Sequence, residues 1–302
     1  MSELPFCSVI VPTYRRPSQL RECLAALAEL DYPRGRFEVI VVADGGGVSP
    51  EALAETLGER VRATLLSGPR AGPAAARNAG AARARGELLA FTDDDCRPAR
   101  SWLRRLAERH LEQPERALGG HTVNALAENV FSAASQLVID VGYEHNNADP
   151  EAARFFASNN LAVPASAFRG AGGFDSAFWT SEDREFCDRW TAAGGVLAYV
   201  PEALVLHARS MTFAGFLRQN FAYGRGAFRL HHKHRASGLG RVALEPRYYG
   251  TLARAALAGG AGHRAAAMMA LLVVWSAANA AGFAWEWIRS ASPGQDALAR
   301  AA

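Results

Sequence analysis

The stretch Glu87-Leu88-Leu89-Ala90-Phe91-Thr92-Asp93-Asp94-Asp95 decides how this chain folds. Its first part is a short apolar run of the kind that fills a buried strand, and three carboxylates follow it directly. Carboxylates this close repel one another and need a counter-charge. Asp also favours turns and helix caps, so a solvated turn ahead of Pro98 is the plain alternative. The place at the end of a strand points instead to a hard divalent cation, which takes oxygen ligands and keeps substrate phosphates in its shell.

Outward from this stretch, strand and helix signals alternate. Ser8-Val9-Ile10-Val11-Pro12 reads as a strand, and Leu20, Leu24, Leu27 and Leu30 lay a helical stripe along Pro17 to Leu30. Phe37 to Val42 is a second strand ending in Asp44-Gly45-Gly46-Gly47, with a helix from Pro50 to Leu57 behind it. Val61 to Leu66 is a third strand. Pro73 to Arg85 is an Ala-rich helix that opens on a first-turn proline. Glu87 to Phe91 is the fourth strand, and Ala99 to Leu111 the next helix. The order predicts an α/β, Rossmann-like fold with a mainly parallel sheet flanked by helices. Ligands of such sheets sit outside the carboxyl ends of the strands, where Asp44 and Asp93 to Asp95 converge.

The second half is less regular. Asn124 to Tyr143 reads as helical, Phe155 to Val163 as extended, and Gly170 to Phe174 as a glycine-rich turn. Glu182 to Ala193 is a helix and Phe213 to His232 a longer one, rich in aromatics and Arg. Ala265 to Ala284 then carries no charge and is long enough to cross hydrocarbon, with Arg247, Arg254 and Arg264 before it and Trp285 and Trp287 behind. It is rich in Ala and Gly and includes Ser276 and Asn279. Spanning, interfacial or self-associating, and core helices therefore all remain open for this apolar helical tail. If it spans, the basic flank keeps the large domain on the cytoplasmic side. Three segments are expected, 1–122, 123–239 and the tail 240–302.

Bulk properties exclude several classes. A net charge of +3 leaves no nucleic-acid footprint, and of 33 basic residues only Lys233 is lysine. Cys7, Cys23, Cys96 and Cys187 are scattered, as reduced cytosolic thiols are, and not as a disulfide frame or zinc site. Met1 to Ser8 has neither a basic n-region nor a long apolar h-region, so no signal peptide is expected. No Gly-x-Gly-x-x-Gly follows the first strand and no Walker motif occurs, which argues against dinucleotide oxidoreductases and P-loop ATPases. His231-His232-Lys233-His234 reads as a basic helix end, because adjacent histidines do not share a helix face. Near the carboxylates, Arg77 can contact phosphate or hold an aspartate, and Asn78 and Asp44 can reach a ribose or base.

These residues resemble the family 2 glycosyltransferases of the GT-A fold. The matching elements run in order from Ser8-Val9-Ile10-Val11-Pro12-Thr13-Tyr14 through Val41-Val42-Ala43-Asp44-Gly45-Gly46, Gly72-Pro73-Ala74-Ala75-Ala76-Arg77-Asn78 and Phe91-Thr92-Asp93-Asp94-Asp95. They continue with Gly172-Gly173-Phe174-Asp175, Ser181-Glu182-Asp183, His207 and Tyr223-Gly224-Arg225-Gly226. The resemblance implies inverting transfer of one sugar from a nucleotide-diphosphate sugar to an acceptor hydroxyl, glycan or lipid-linked. It implies Asp183, beside Glu182, as catalytic base, and Mg²⁺ or Mn²⁺ held by Asp95 with His207 nearby. Asp44 matches the base contact and Asp93 the ribose side, while Asp94 points the other way and supports the turn. Pro12, Thr13, Tyr14, Arg16, Arg77, Asn78 and Arg225 complete the donor side. The family commonly has Asp-Asp-Gly-Ser where this chain has Ala43-Asp44-Gly45-Gly46, which leaves base selectivity open. A membrane surface reached through 265–288 would place the protein at the cytoplasmic face of a membrane. A nucleotidyltransferase is the rival enzyme, although Thr13-Tyr14-Arg15-Arg16 stands where its Gly-rich, Lys-bearing loop belongs. A catalytically silent nucleotide-sugar-binding protein of the same fold is the non-enzymatic alternative. Processive polymerisation would need several spanning helices and a Gln-x-x-Arg-Trp signature, where Arg218-Gln219-Asn220-Phe221 stands here.

Overall fold

A computed structural model describes residues 3–58, 61–238, 246–258 and 262–291. The expected segment boundary at 239/240 and the first two residues of the N-terminal stretch lie outside the described residues. The chain forms two compact units, each discontinuous in sequence. One is Met1–Glu128 with Gly142–Ser210, the other Asn129–Val141 with Met211–Ala302.

The first unit is built on one eight-stranded sheet. Its opening half follows the alternation read from the sequence: β1 (Cys7–Thr13), α1 (Pro17–Ala28), β2 (Phe37–Asp44), α2 (Pro50–Leu57), β3 (Arg62–Gly68), α3 (Pro73–Arg83) and β4 (Leu88–Phe91). Then come β5 (Cys96–Pro98), α4 (Trp102–Glu112), β6 (Ala117–Asn124), α5 (Val130–Asn146), a 3₁₀ turn at Ser158–Asn160, β7 (Leu161–Pro164), α6 (Ala165–Gly170), α7 (Glu182–Ala192) and β8 (Leu197–His207). The strand order is β3-β2-β1-β4-β7-β6-β8-β5. The first four strands are mutually parallel, β7 runs antiparallel to β4 and β6, β8 is parallel to β6, and β5 is antiparallel to β8.

Alternation along β1 explains how both faces are covered. Cys7, Val9 and Val11 pack with Leu20, Cys23, Leu24 and Leu27 of α1 in the main core. Ile10 points to the other face and meets α3 at Gly80, where an added Cβ would stand 2.6 Å from Ile10 Cγ2. Only glycine lets that helix approach so closely. The chain winds outward from β1 through β2 to β3 and then returns to β4 on the other side of β1. That reversal opens a crevice at the carboxyl ends of β1 and β4.

The second unit is helical: the first part of α5 with α8 (Phe213–Ala236), α9 (Pro246–Ala258) and α10 (His263–Ser290). Met211, Phe216, Leu252, Ala256, Met268, Leu271 and Leu272 form its core with Ala134 and Val141. Where α8 crosses α10, Gly224 lies against the Asn279 carbonyl and Gly282 against the Phe221 carbonyl, with no room for a Cβ at either. Arg225 and Arg229 both pair with Glu286 there, at 2.6 and 2.9 Å. Among the described residues, α10 is the one helix long and apolar enough to cross a membrane.

Candidate active site

The three consecutive aspartates divide among four partners, with Arg16 shared by two of them. Asp93 Oδ1 accepts from Arg77 Nη2 at 2.5 Å. Asp94 Oδ2 accepts from Thr13 Oγ1 at 2.7 Å, and its Oδ1 accepts from Arg16 Nη1 at 3.1 Å. Asp95 Oδ2 shares that same Arg16 nitrogen at 2.9 Å, and its Oδ1 lies 3.3 Å from His207 Nε2. Burial pushes Asp94 up to about 6, with Asp95 and Asp93 adding to the rise against the pull of Thr13 and Arg16. Burial would raise Asp95 too. The hydrogen bond and charge of His207, with Arg16 and Arg209, outweigh it and hold that carboxyl well below its ordinary range.

His207 reaches Asp95 through sheet pairing. The short strand β5 runs antiparallel to β8 with Cys96 opposite His207, and Ala208 N–H donates to the Asp95 carbonyl at 2.8 Å. Ligand atoms of Asp95, Cys96 and His207 lie within 4.8 Å of one another. Burial drives the Cys96 thiol well above its usual range, so it stays a protonated packing group. Asp95 and His207 then leave one carboxylate and one imidazole, a donor pair that suits a hard or borderline divalent cation with phosphate oxygens completing its shell. The arrangement fits Mg²⁺ or Mn²⁺.

Arg77 joins the aspartates to the second half of the site. Almost fully buried on α3, it donates Nη1 to Glu182 Oε1 at 2.7 Å while Nη2 holds Asp93. Of the two roles read from the sequence, the structure shows the carboxylate-holding one. Glu182 opens α7. Burial and neighbouring Asp183 push its carboxyl up to about 7 against the opposing pull of Arg77. Asp183 is half-buried; Oδ1 accepts from Arg184 N–H at 2.8 Å and Oδ2 from Ser158 N–H at 3.3 Å. Burial raises its pKa as well. The residue ahead of the pair, Ser181, is left-handed at φ 67°, and Arg15 in the β1–α1 loop has φ 53°. Among described residues they are the two non-glycine positions with positive φ, and both border this crevice.

Other expected residues take supporting positions. Asp44 Oδ1 and Oδ2 accept from Ala71 and Gly72 N–H at 2.5 and 3.0 Å, fixing the loop that enters α3. Asn78 is a two-sided clamp on the glycine-rich turn: Nδ2 donates to Phe174 O at 2.7 Å and Oδ1 accepts from Phe174 N–H at 2.9 Å. Pro12 and Thr13 end β1 in register with Val42 and Ala43 of β2. Arg225 lies in the second unit, where its guanidinium is held by Glu286. Arg70 and Trp179 were missed by sequence reasoning. The Arg70 guanidinium sits 4.5 Å from the Tyr14 ring centre and 5.1 Å from that of Trp179. Trp179 also packs on Gly72, next to the loop Asp44 holds. A tryptophan five residues past the glycine-rich turn is the signal the sequence offers for this contact.

A carboxylate set at a sheet switch point, tied through Arg77 to a second carboxylate pair at the start of α7, defines a GT-A glycosyltransferase fold. The chain belongs to glycosyl transferase family 2, whose family model matches residues 8–177. It is 29% identical over 233 residues to the pre-mycofactocin glycosyltransferase of Mycobacterium tuberculosis, covering 75% of this chain and 48% of that protein. It is 28% identical over 228 residues to glycosyltransferase AglE of Haloferax volcanii, covering 74% of each. This chain thus spans about half the length of the mycobacterial relative. Among solved structures, the mannosyltransferase PcManGT of Pyrobaculum calidifontis, in complex with GDP-Man and Mn²⁺, superposes with a TM-score of 0.62 at 21% identity. That match covers 96% of this chain and 85% of the other, and shows the shared fold.

Proposed function

We propose that this protein transfers one sugar, with inversion, from a nucleotide-diphosphate sugar to an acceptor hydroxyl. The observation that carries the reading is the Arg77 bridge. It ties Asp93, beside the metal-side carboxylate, to Glu182, beside the candidate base, although the two are far apart in sequence. A donor bound between them would have its diphosphate toward Asp95 and its anomeric carbon toward Asp183. Residues 1–122 supply the donor side, and Asp183 lies in the acceptor segment 123–239.

Asp95 and His207 would hold a divalent cation, which when bound neutralises charge building on the leaving diphosphate. The chain's own residues do the rest. Thr13 anchors the aspartate run at Asp94, while His207 and Arg16 keep Asp95 ionised. Asp183 takes the acceptor hydroxyl proton as the new oxygen–carbon bond forms and the bond to the diphosphate oxygen breaks, the electron pair leaving with the diphosphate. Two backbone N–H groups aim its carboxylate, and its raised pKa makes it a stronger base than a solvated aspartate. Glycan and lipid-linked acceptors both fit this chemistry, and the cytoplasmic face of a membrane is the proposed location.

A panel of nucleotide-sugars with Mg²⁺ or Mn²⁺, read by donor hydrolysis and thermal shift, tests the assignment. Asp95→Asn should lose metal-dependent donor binding. Asp183→Asn should keep binding and lose turnover by about two to four orders of magnitude. Normal turnover in Asp183→Asn would remove it as the base.

A further inference from the structure

We infer that the second unit docks in the plane of an anionic membrane surface through the outward face of α10, and that α10 does not cross the bilayer. The inference rests on this unit alone and is independent of the sugar-transfer reading.

The first observation is the face itself. The buried side of α10 carries Met268, Leu271, Leu272, Ala278, Gly282 and Glu286, the stripe expected of a packed helix. The opposite side of a surface helix is normally polar. Here it presents Ala266, Ala270, Val273, Ala277, Ala284 and Ile288, all exposed, with no charged residue between Arg264 and Glu286. Val273 is 66% exposed, Trp287 63% and Ile288 62%. Such a contiguous apolar surface marks an interaction site.

Charge selects the occupant. The described residues of this unit hold nine Arg and Lys against two acidic residues, Asp140 and Glu286. Glu286 is spent on Arg225 and Arg229 and faces inward. An apolar helix face, tryptophans at one end and a cationic body together match a headgroup–acyl boundary that carries negative charge.

The crossing with α8 argues against a spanning orientation. Gly224 and Gly282 bring the two backbones together at Asn279 and Phe221, inside the uncharged run of α10. Placing that run in hydrocarbon would carry the neighbouring turns of α8, with Arg218, Arg225 and Arg229, toward the same depth. A single Arg at the bilayer centre shifts an insertion equilibrium by roughly two orders of magnitude. Lying in the interface leaves α8 on the aqueous side of α10 and avoids that cost.

The test uses the full chain with vesicles of phosphatidylcholine alone and of phosphatidylcholine with about a third phosphatidylglycerol. Sedimentation with the anionic vesicles is expected, reduced by salt and released by alkaline carbonate. Val273→Glu with Ile288→Glu should abolish it, and Arg247→Gln and Arg254→Gln should each weaken it about fivefold. Circular dichroism and the thermal midpoint, read on every variant, confirm that the chain stays folded. Equal binding to neutral vesicles, or retention after carbonate treatment, would overturn the inference. So would absence of vesicle binding together with a concentration-dependent dimer that Val273→Glu dissolves, since a second copy of the chain would then be the occupant.

Discussion

Replacing Arg77 with Met should destabilise the protein by an amount that depends on pH. Arg77 is 3% exposed and neutralises two carboxylates at once, Glu182 at 2.7 Å and Asp93 at 2.5 Å. Removing one partner of a buried ion pair costs about 3–5 kcal/mol, because the other charge is left uncompensated. Two features lower that figure here. Asp93 is 31% exposed and keeps part of its hydration. Glu182, already pushed up to about 7, takes up a proton readily once its counter-charge is gone. At pH 8 the glutamate must be forced to protonate or sit unpaired, and the loss should be about 2–3 kcal/mol. At pH 6 it is mostly protonated in both proteins, so no buried charge is stranded and the loss, the Asp93 contact and one hydrogen bond to Glu182, is about 1 kcal/mol. Differential scanning calorimetry should show the midpoint falling by about 4–10 °C at pH 8 and by less than half of that at pH 6. Arg77→Lys keeps the charge but not the two-pronged geometry and should fall between. An equal loss at both pH values, or none, would refute the bridging role.

The remaining predictions are simpler. Turnover should rise with pH through near-neutral values as the Glu182–Asp183 pair loses protons, a limb measurable in kcat against pH. Their folded pKa values lie above the unfolded ones, so the metal-free fold binds more protons than the unfolded chain between about pH 4.5 and 7. In that window the pair's contribution should make stability decline as pH rises. Gly119→Ala should fail to fold or lose more than about 3 kcal/mol, because its Cβ would enter the Phe156 ring, and soluble yield and calorimetry would show it. Trp179→Ala and Arg70→Ala should each weaken donor binding about fivefold by titration calorimetry, since the Arg70 guanidinium lies over both Tyr14 and Trp179 beside the loop that Asp44 fixes.

The opening α/β half was legible because its signals are local. The central strands β1, β2 and β4 are apolar runs, and each helix has a stripe or a first-turn proline. What stayed hidden is what non-local contacts create. Cys96-Arg97-Pro98 has no strand periodicity, and it becomes β5 only because β8 pairs with it. Within β6, Gly119 and Gly120 erase the strand signal. They are glycines because the Phe156 ring and the Asn160 side chain occupy the space a Cβ would need. The helix read from Asn124 to Tyr143 forms as α5 only from Val130 to Asn146, because Asn124 ends β6 and a turn follows it. Its division between two compact units depends on packing that no window of sequence contains.

The candidate site shows the same split between composition and placement. Asp44, Asp93, Asp95, Asp183 and His207 could be singled out by residue type and order, but what each one touches is set by register. In Asp93-Asp94-Asp95 three carboxylates stand one residue apart, and mutual repulsion would leave such a cluster costly. The fold eases the conflict with two cations, Arg77 on Asp93 and Arg16, whose Nη1 is shared by Asp94 and Asp95. Asp95 alone also meets His207 and is held strongly ionised, whereas Asp94 is buried and raised. Adjacent identical residues thus acquire opposite proton affinities. A metal needs an ionised carboxylate and the turn needs an anchored one; His207, 3.3 Å from Asp95, keeps the first ionised, and Thr13, 2.7 Å from Asp94, anchors the second.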